Sequence, residues 1–414
     1  MTDSVLSTLL PENWFFSVEL LPQPAYIVGG AVRDAILGRT REYLDLDFVL
    51  PVDAVKVARK IATHYKAGFV LLDPQRQIAR VVFPHATADF AQQEGETLET
   101  DLHRRDFTVN AIAYNPHTKE IIDPLQGSAD LEKRLLRMIS PANLEDDPLR
   151  LMRAYRQASQ LGFTIETDTK TTIRSLASHI TRVAPERVRV ELGYMLAHSQ
   201  GTPWIVNAWK DSLLASFFKY ATEESVKVLA KLDTAASHLA ENWQKLGTEL
   251  SQSVRDTVKT TWLGIAKLAC LVHQDPETAE TEILQLTYSR AEVKAVITTL
   301  RLLPRIQTPE MNLREQYFFF LEAGSTFPTI ASLAVASGTP VEGIAPLITR
   351  YLNPDDLVAH PVSLVSGSDL MVALDIAASP LVGKLLTEIA VAQIEGKVST
   401  RAEAIEFASG LTRK

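Results

Sequence analysis

Two aspartates at alternate positions, Asp45 and Asp47, lie in Leu44-Asp-Leu-Asp-Phe48, downstream of a paired glycine in Tyr26-Ile-Val-Gly-Gly-Ala-Val-Arg-Asp-Ala-Ile-Leu-Gly38. Alternate side chains of a strand point the same way. Both carboxylates can therefore reach one point in space, while Leu44, Leu46 and Phe48 anchor the opposite face. Two carboxylates beside a glycine-lined turn suit hard cations and a triphosphate. Two Mg2+ ions held there would activate an attacking hydroxyl and screen the triphosphate and departing pyrophosphate. Gly29 and Gly30 would let backbone N–H groups approach phosphate at a helix start. Asp89, on a later strand, is either a third carboxylate of this set or an edge-strand aspartate.

Three further stretches could serve the same chemistry. In Arg104-Arg-Asp-Phe-Thr-Val-Asn110, arginine forks match phosphate oxygens, Asp106 could accept from a ribose hydroxyl, and Asn110 could bond ribose or triphosphate. The same residues also fit a surface turn with an Asn cap. In Glu145-Asp-Asp-Pro-Leu-Arg150, Asp147 and Arg150 are spaced to share a helix face. An acceptor beside a fork of donors matches the edges of cytosine and adenine. Uracil and guanine would set a carbonyl against the carboxylate. The plainer reading is a helix-start carboxylate paired with an arginine. Glu186-Arg-Val-Arg-Val-Glu-Leu192 reads as an ion-paired helix whose charges could also orient the base-reading pair.

These residues need a scaffold. Strands are expected at Ala25–Val28, Leu44–Leu50, Gly68–Leu72, Ile78–Phe83 and Thr87–Phe90, with a helix over Ala54–Tyr65 and a hairpin around Asn115-Pro-His-Thr118. This is an α+β head with a twisted sheet. Strand signals then fade. Pro148–Leu161, closed by Gly162, and Pro185–Ala197 read as helices. Helical periods continue to about Leu303, where Pro304 is an expected break. The remainder is helix-rich, with turns at Gly338-Thr-Pro340, Asn353-Pro354 and Ser366-Gly367.

The 414 residues carry 46% hydrophobic and 22% charged side chains and a net charge of −8. A polynucleotide partner therefore needs local positive charge. Arg150, Arg153, Arg156, Arg174, Arg182, Arg187 and Arg189 supply it, with Arg153 and Arg156 also expected in the nucleotide-binding set. No apolar run of about 18 residues is seen, and the start lacks a signal-peptide pattern. A single cysteine, Cys270, reads as a small buried hydrophobe and fits a reducing cytoplasm. No membrane partner is expected, and nothing in the sequence fixes an oligomeric state.

Taken in order, Gly29-Gly30-Ala-Val-Arg33-Asp34, Asp45-Leu-Asp47, Arg104 to Asn110, Asp146-Asp147-Pro-Leu-Arg150 and Glu186 to Glu191 resemble the motifs of class II tRNA nucleotidyltransferases, a family that includes bacterial poly(A) polymerases. The resemblance covers about the first 195 residues. It implies a polymerase-β-like catalytic head over 1–125, a base-recognising helical neck over 126–195, a helical body over 196–304 and a tRNA-binding tail over 305–414. It implies template-independent addition of nucleotides to the tRNA 3′ end from CTP, or from CTP and ATP. Asp45 and Asp47 resemble the metal ligands. Gly29, Gly30, Arg33, Arg105, Asp106 and Asn110 resemble the triphosphate and ribose contacts, and Asp147 and Arg150 the base readers. The family usually has Glu where this chain has Asp146. Ser366-Gly-Ser-Asp-Leu370 and Glu395-Gly-Lys397 resemble the family tail, with Ala377-Ala-Ser-Pro380 in place of a glycine-rich turn. Some relatives carry a phosphohydrolase domain with a His-Asp pair; here the nearest candidate is His273-Gln274, so none is expected. Between the carboxylates and the Arg-Arg-Asp motif, CCA- and A-adding members carry a flexible loop. Here Ala88 to Gly95 runs almost directly into Thr97 to Leu102, which resembles a CC-adding enzyme. Full CCA addition, A or poly(A) addition, and an inactive tRNA binder are the alternatives.

Overall fold

A computed structural model describes residues 7–39, 43–255, 258–308 and 310–412. The chain forms two compact units: residues up to 184 with 210–213, and 185–209 with 214 onward.

In the first unit, β1 (Tyr26–Val28) leads into α1 (Gly30–Ile36). Then come β2 (Leu44–Leu50), α2 (Ala54–Tyr65), β3 (Gly68–Asp73), β4 (Ile78–Phe83), β5 (Ala86–Gln92), α3 (Leu98–His103), β6 (Ala113–Asn115) and β7 (Glu120–Ile122). The seven strands form one mixed sheet, ordered β3-β4-β5-β2-β1-β6-β7. Only β2 and β5 pair in parallel. β5 is thus interior, which corrects the edge-strand alternative for Asp89. Its parallel partner lies far back in sequence, so no local pattern announces it.

Alternation along β2 works as expected. Leu46, Phe48 and Leu50 are buried, and Phe48 stacks on Phe90 with ring centroids 5.1 Å apart. Burying each such ring is worth roughly 1.5–3 kcal/mol. The other face carries Asp45 and Asp47, then disappears at Val49 into a cluster with Val28, Leu102, Ala111 and Ala113. The β6–β7 hairpin forms as expected, with the Asn115 side chain accepting from the N–H groups of His117 and Thr118.

The unit continues through α4 (Gly127–Glu132), α5 (Pro141–Asp146), α6 (Leu149–Leu161) and α7 (Thr167–Leu176). Asp147 is not on the helix face assumed for it. It has extended backbone (φ −129°, ψ 91°) between α5 and α6, because the proline that follows disfavours helical geometry there. Gly162, at φ +69°, closes α6 as expected. The returning segment brings Asp211, which accepts from Tyr155 Oη at 2.6 Å and Arg174 Nε at 2.7 Å and so ties α6 to α7.

The second unit contains α8 (Pro185–Leu196), α9 (Thr202–Lys210), α10 (Glu223–Asn242), α11 (Gln244–Ser251), α12 (Trp262–Ala269), α13 (Pro276–Gln285), α14 (Arg290–Ile306), α15 (Leu313–Ala323), α16 (Phe327–Ala336), α17 (Val341–Leu352), α18 (Gly367–Leu374), α19 (Pro380–Ile394) and α20 (Arg401–Thr412). One departure from an all-helical reading is the antiparallel pair Ser253–Arg255 and Val258–Thr261. Pro304 does not break α14, which runs to Ile306. A proline in the last turn forfeits one hydrogen bond, and buried Leu302 and Ile306 hold the turn in place. Ser366 caps α18 by accepting from the Asp369 N–H, so Ser366-Gly367 starts a helix.

Leu313–Ala336 is long and apolar enough by composition to cross a membrane, but its most apolar window is 67% buried. Gly324, at φ +46°, separates α15 from α16, and Phe319, Phe320, Phe327 and Ile330 pack into a core. Cys270 is buried, which pushes its thiol pKa up.

Candidate active site

Register assembles the carboxylates. On paired β2 and β5, Asp45 stands opposite Thr87 and Asp47 opposite Asp89. Thr87 Oγ1 donates to Asp45 Oδ1 at 2.5 Å, which orients that carboxylate while leaving it exposed. Asp89 is gripped at both oxygens by Arg80 of β4, at 2.6 and 2.8 Å. The Asp47 carboxylate accepts no hydrogen bond among the described residues. Burial, then Asp45, then Asp89 push its pKa up to about 6, against the pull of Arg105 and Arg80.

This donor set fits a divalent cation. Asp45 and Asp47 share a face, and Asp47 is half-buried among like charges that a cation would relieve. Among the described residues no cluster offers three His, Cys, Asp or Glu ligands. Mg2+ commonly takes one or two carboxylates and completes its shell with water and substrate phosphate. Both Asp89 oxygens are engaged by Arg80, so that carboxylate is already charge-paired where Asp45 and Asp47 are not.

Gly29 is the hinge between this pair and the arginines. Its φ of +74° is one that side chains rarely adopt. A Cβ there would sit 3.4 Å from Asp47 Oδ2 and 3.7 Å from Arg105 Nη1. Arg105 Nη2 is held by Asp101 at 3.1 Å, and its buried Nε has no hydrogen-bond partner among the described residues. From Arg105 a cavity of about 160 Å³ extends past Arg104 to Asp146, Asp147 and Arg150. Asp147 and Arg150, expected from the sequence to read the base, therefore meet there although only Arg150 is helical. Arg150 Nη1 donates to the Asn143 carbonyl at 2.8 Å, and Asn143 Nδ2 donates to the carbonyls of His103 and Arg105. Burial lowers the Arg150 pKa against the pull of Asp106 and Asp147.

Other expected contacts lie deeper. Arg33, Asp106 and Asn110 are each under one-tenth exposed. Arg33 bonds Asp34 through Nε and Asn110 Oδ1 through Nη1, at 2.9 and 2.7 Å. Asn110 Nδ2 donates to Asp106 Oδ1 and to Gln157 Oε1, both at 2.9 Å. Asp106 Oδ2 accepts from Arg153 Nε at 3.0 Å. These residues form a polar chain from α1 to α6. Burial opposes ionisation of Asp106, but Arg153, Asn110 and the Phe107 N–H outweigh it and hold the pKa down at about 2. Arg156 Nη1 bonds Gln160 on the surface of α6. The Glu186–Glu191 stretch lies on α8 in the second unit, where Arg189 donates to the Thr287 carbonyl and packs over the Tyr288 ring.

The sequence reading missed Arg80, Thr87, Asp101, Asn143 and Gln157. Asn143 lies two residues before the Glu145 stretch, Asp101 three before Arg104 and Gln157 directly after Arg156, whereas Arg80 adjoins no motif.

Comparison with known proteins decides the lineage. Residues 25–137 match the Poly A polymerase head domain, 162–224 the probable RNA and SrmB-binding site of polymerase A, and 256–408 a putative tRNA nucleotidyltransferase domain 2. A CC-adding tRNA nucleotidyltransferase of Synechocystis sp. is 47% identical, over 96% of this chain and 95% of that protein. The chain belongs to the class II tRNA nucleotidyltransferase family. Another relative, the CC-adding tRNA nucleotidyltransferase of Geobacter sulfurreducens, is 30% identical over 92% of this chain and 91% of its own length. The fold is that of a CCA-adding enzyme solved with CTP (TM-score 0.74, 21% identity, 94% of this chain and 92% of that one). The reaction class is nucleotidyl transfer in tRNA processing, and family members of this kind use a divalent metal.

Proposed function

We propose that this enzyme adds two cytidines to the tRNA 3′ end from CTP and then stops. The terminal 3′-hydroxyl oxygen attacks the α-phosphorus of CTP and loses its proton to solvent, a new P–O bond forms, the α–β bridge breaks and pyrophosphate leaves. Asp45 and Asp47 would hold the divalent metal, Mg2+, which would supply Lewis-acid stabilisation of the charge that develops at the reacting phosphate. Gly29 and Gly30 admit the phosphates and Arg105 binds them. Arg33, Asp106, Asn110 and Arg153 brace the wall that carries the nucleotide, while Arg156 bonds Gln160 on the surface of α6 and adds positive charge beside it. Asp147 accepts from the cytosine amino group while Arg150 donates to the acceptor edge. Residues 1–125 serve as catalytic head, 126–195 as neck, 196–304 as body and 305–414 as tRNA-binding tail, in a cytoplasmic enzyme.

One observation carries the CC reading. Only residues 93–97 join β5 to α3, and they are pinned. Gln93 N–H donates to the Leu50 carbonyl at 2.7 Å and Glu94 N–H to Asp101 Oδ1 at 3.1 Å, while the Glu94 carboxylate pairs with Arg104. Gly95 has φ +88°, and a Cβ there would come 2.5 Å from Thr100 Cγ2. A purine in the cytosine position needs the pocket wall to move, and a connection this short and tied has little slack. The test is extension of tRNA lacking its CCA end with CTP, ATP or both. A product two nucleotides longer, unchanged when ATP joins CTP, is expected. A third nucleotide appearing only with ATP would replace this reading by full CCA addition. No extension at all would favour a binding protein.

A further inference from the structure

We propose that Arg76, on the turn between β3 and β4, binds the terminal phosphates of the incoming nucleoside triphosphate. The assignment rests on the nucleotide site proposed above and extends it to a strand turn outside every motif that marks the family. Arg76 lines the same cavity as Arg105, Asp147 and Arg150.

Its turn is built to hold a direction. Asp73 Oδ1 accepts from the N–H groups of both Gln75 and Arg76, at 2.9 and 3.0 Å. Gln77, at φ +53°, donates from Nε2 to the Pro74 carbonyl at 2.7 Å, and its own carbonyl accepts from the Gln92 N–H at 3.3 Å. The backbone under Arg76 is therefore fixed at both ends, and the last residue of β5 braces it.

The guanidinium differs from its neighbours in what it does for the protein. Arg104 pairs with Glu94, Arg105 with Asp101, and Arg150 bonds the Asn143 carbonyl. Outside the cavity, Arg80 is committed to Asp89 and Arg33 to Asp34. Arg76 is exposed and has no ion pair or hydrogen bond from its side chain among the described residues. A triphosphate brings more negative charge than two metal ions on two carboxylates cancel. An uncommitted guanidinium at the mouth of that cavity meets phosphate oxygens with a fork of donors, at no cost in broken internal pairs.

Equilibrium binding of CTP and of CMP, with Mg2+ and without tRNA, tests the assignment on the full-length protein, its Arg76→Ala variant and its Arg76→Lys variant. Removing the guanidinium should weaken CTP about tenfold and leave CMP within about twofold, with lysine recovering part of the loss. Thermal melts should be unchanged, because the side chain holds nothing internally. Equal weakening of CTP and CMP would place the contact on base or sugar and overturn the proposal, as would no weakening of either. A raised KM for tRNA with CTP binding intact would assign Arg76 to the RNA backbone and overturn it too. Wild-type protein that binds neither nucleotide would bring down the nucleotide site itself, and this assignment with it.

Discussion

Asp47 and Asp89 are register partners on parallel strands, yet only Asp89 has an arginine on its oxygens. The pair therefore divides into a committed carboxylate and an available one. Asp89→Asn should keep turnover within about tenfold of wild type, since its charge is already spent on Arg80. Asp47→Asn should lose about a thousandfold or more, as expected for a metal ligand of a phosphoryl-type transfer. Single-turnover extension of tRNA with CTP measures both, and an Asp89→Asn variant as inactive as Asp47→Asn would make Asp89 a third ligand.

The raised pKa of Asp47 also has a sign for stability. Its folded pKa, about 6, lies above the value near 4 expected when unfolded. The folded state binds more protons between those values, so this group's contribution worsens as pH rises from about 4 to 6 and stays unfavourable above. At neutral pH it costs at most about 2–3 kcal/mol in metal-free protein. Asp47→Asn should therefore melt higher than wild type at pH 7.5 and not at pH 4. Adding Mg2+ at pH 7.5 should raise the wild-type Tm and not that of the variant. A variant that melts lower at pH 7.5 would contradict the cost of burying this carboxylate beside Asp45 and Asp89.

Asp106 has the opposite sign. Its folded pKa of about 2 lies below the unfolded value, so its contribution is complete above about pH 4 and is lost as pH falls toward 2. The amount is about 2–3 kcal/mol. Asp106→Asn keeps the volume but strips Arg153 of its buried partner, and should cost about 3 kcal/mol or more. Urea unfolding at pH 7 and pH 3 checks this: the gap between wild type and variant should narrow at pH 3.

The reach of the sequence follows from the range of the interactions. Asp45 and Asp47 were legible because a period of two is local and Leu46 and Phe48 mark the buried face. The β6–β7 hairpin was legible because Asn115-Pro116 marks the end of its first strand and the start of its turn. Arg80 and Thr87 were not, because their roles exist only once β5 pairs with β4 on one side and β2 on the other. Asp147 is an instructive miss. Its spacing from Arg150 suggested one helix, but Pro148 carried the contrary signal, and the steric rule before proline won. The two residues still converge, because the bend between α5 and α6 delivers Asp147 to the cavity that Arg150 lines.

That convergence gives a specificity test. Asp147, at the bend, supplies an acceptor, while Arg150 is held by the Asn143 carbonyl and supplies donors. Cytosine offers an amino group to the first and acceptors to the second. Uracil offers a carbonyl to a carboxylate, leaving two acceptors opposed in a partly buried site. Asp147→Ala removes that conflict along with the favourable bond. Its kcat/KM for CTP should fall about a hundredfold while that for UTP changes by less than about threefold, so discrimination shrinks. Arg150→Ala removes donors that cytosine accepts at N3 and O2 and uracil only at O2, because uracil N3 bears a hydrogen, so the value for CTP should fall most and the value for UTP should fall as well. Competition between CTP and UTP on tRNA lacking its CCA end separates the cases. If Asp147→Ala keeps full preference for CTP, base choice lies with other residues and the pair only braces the cavity wall.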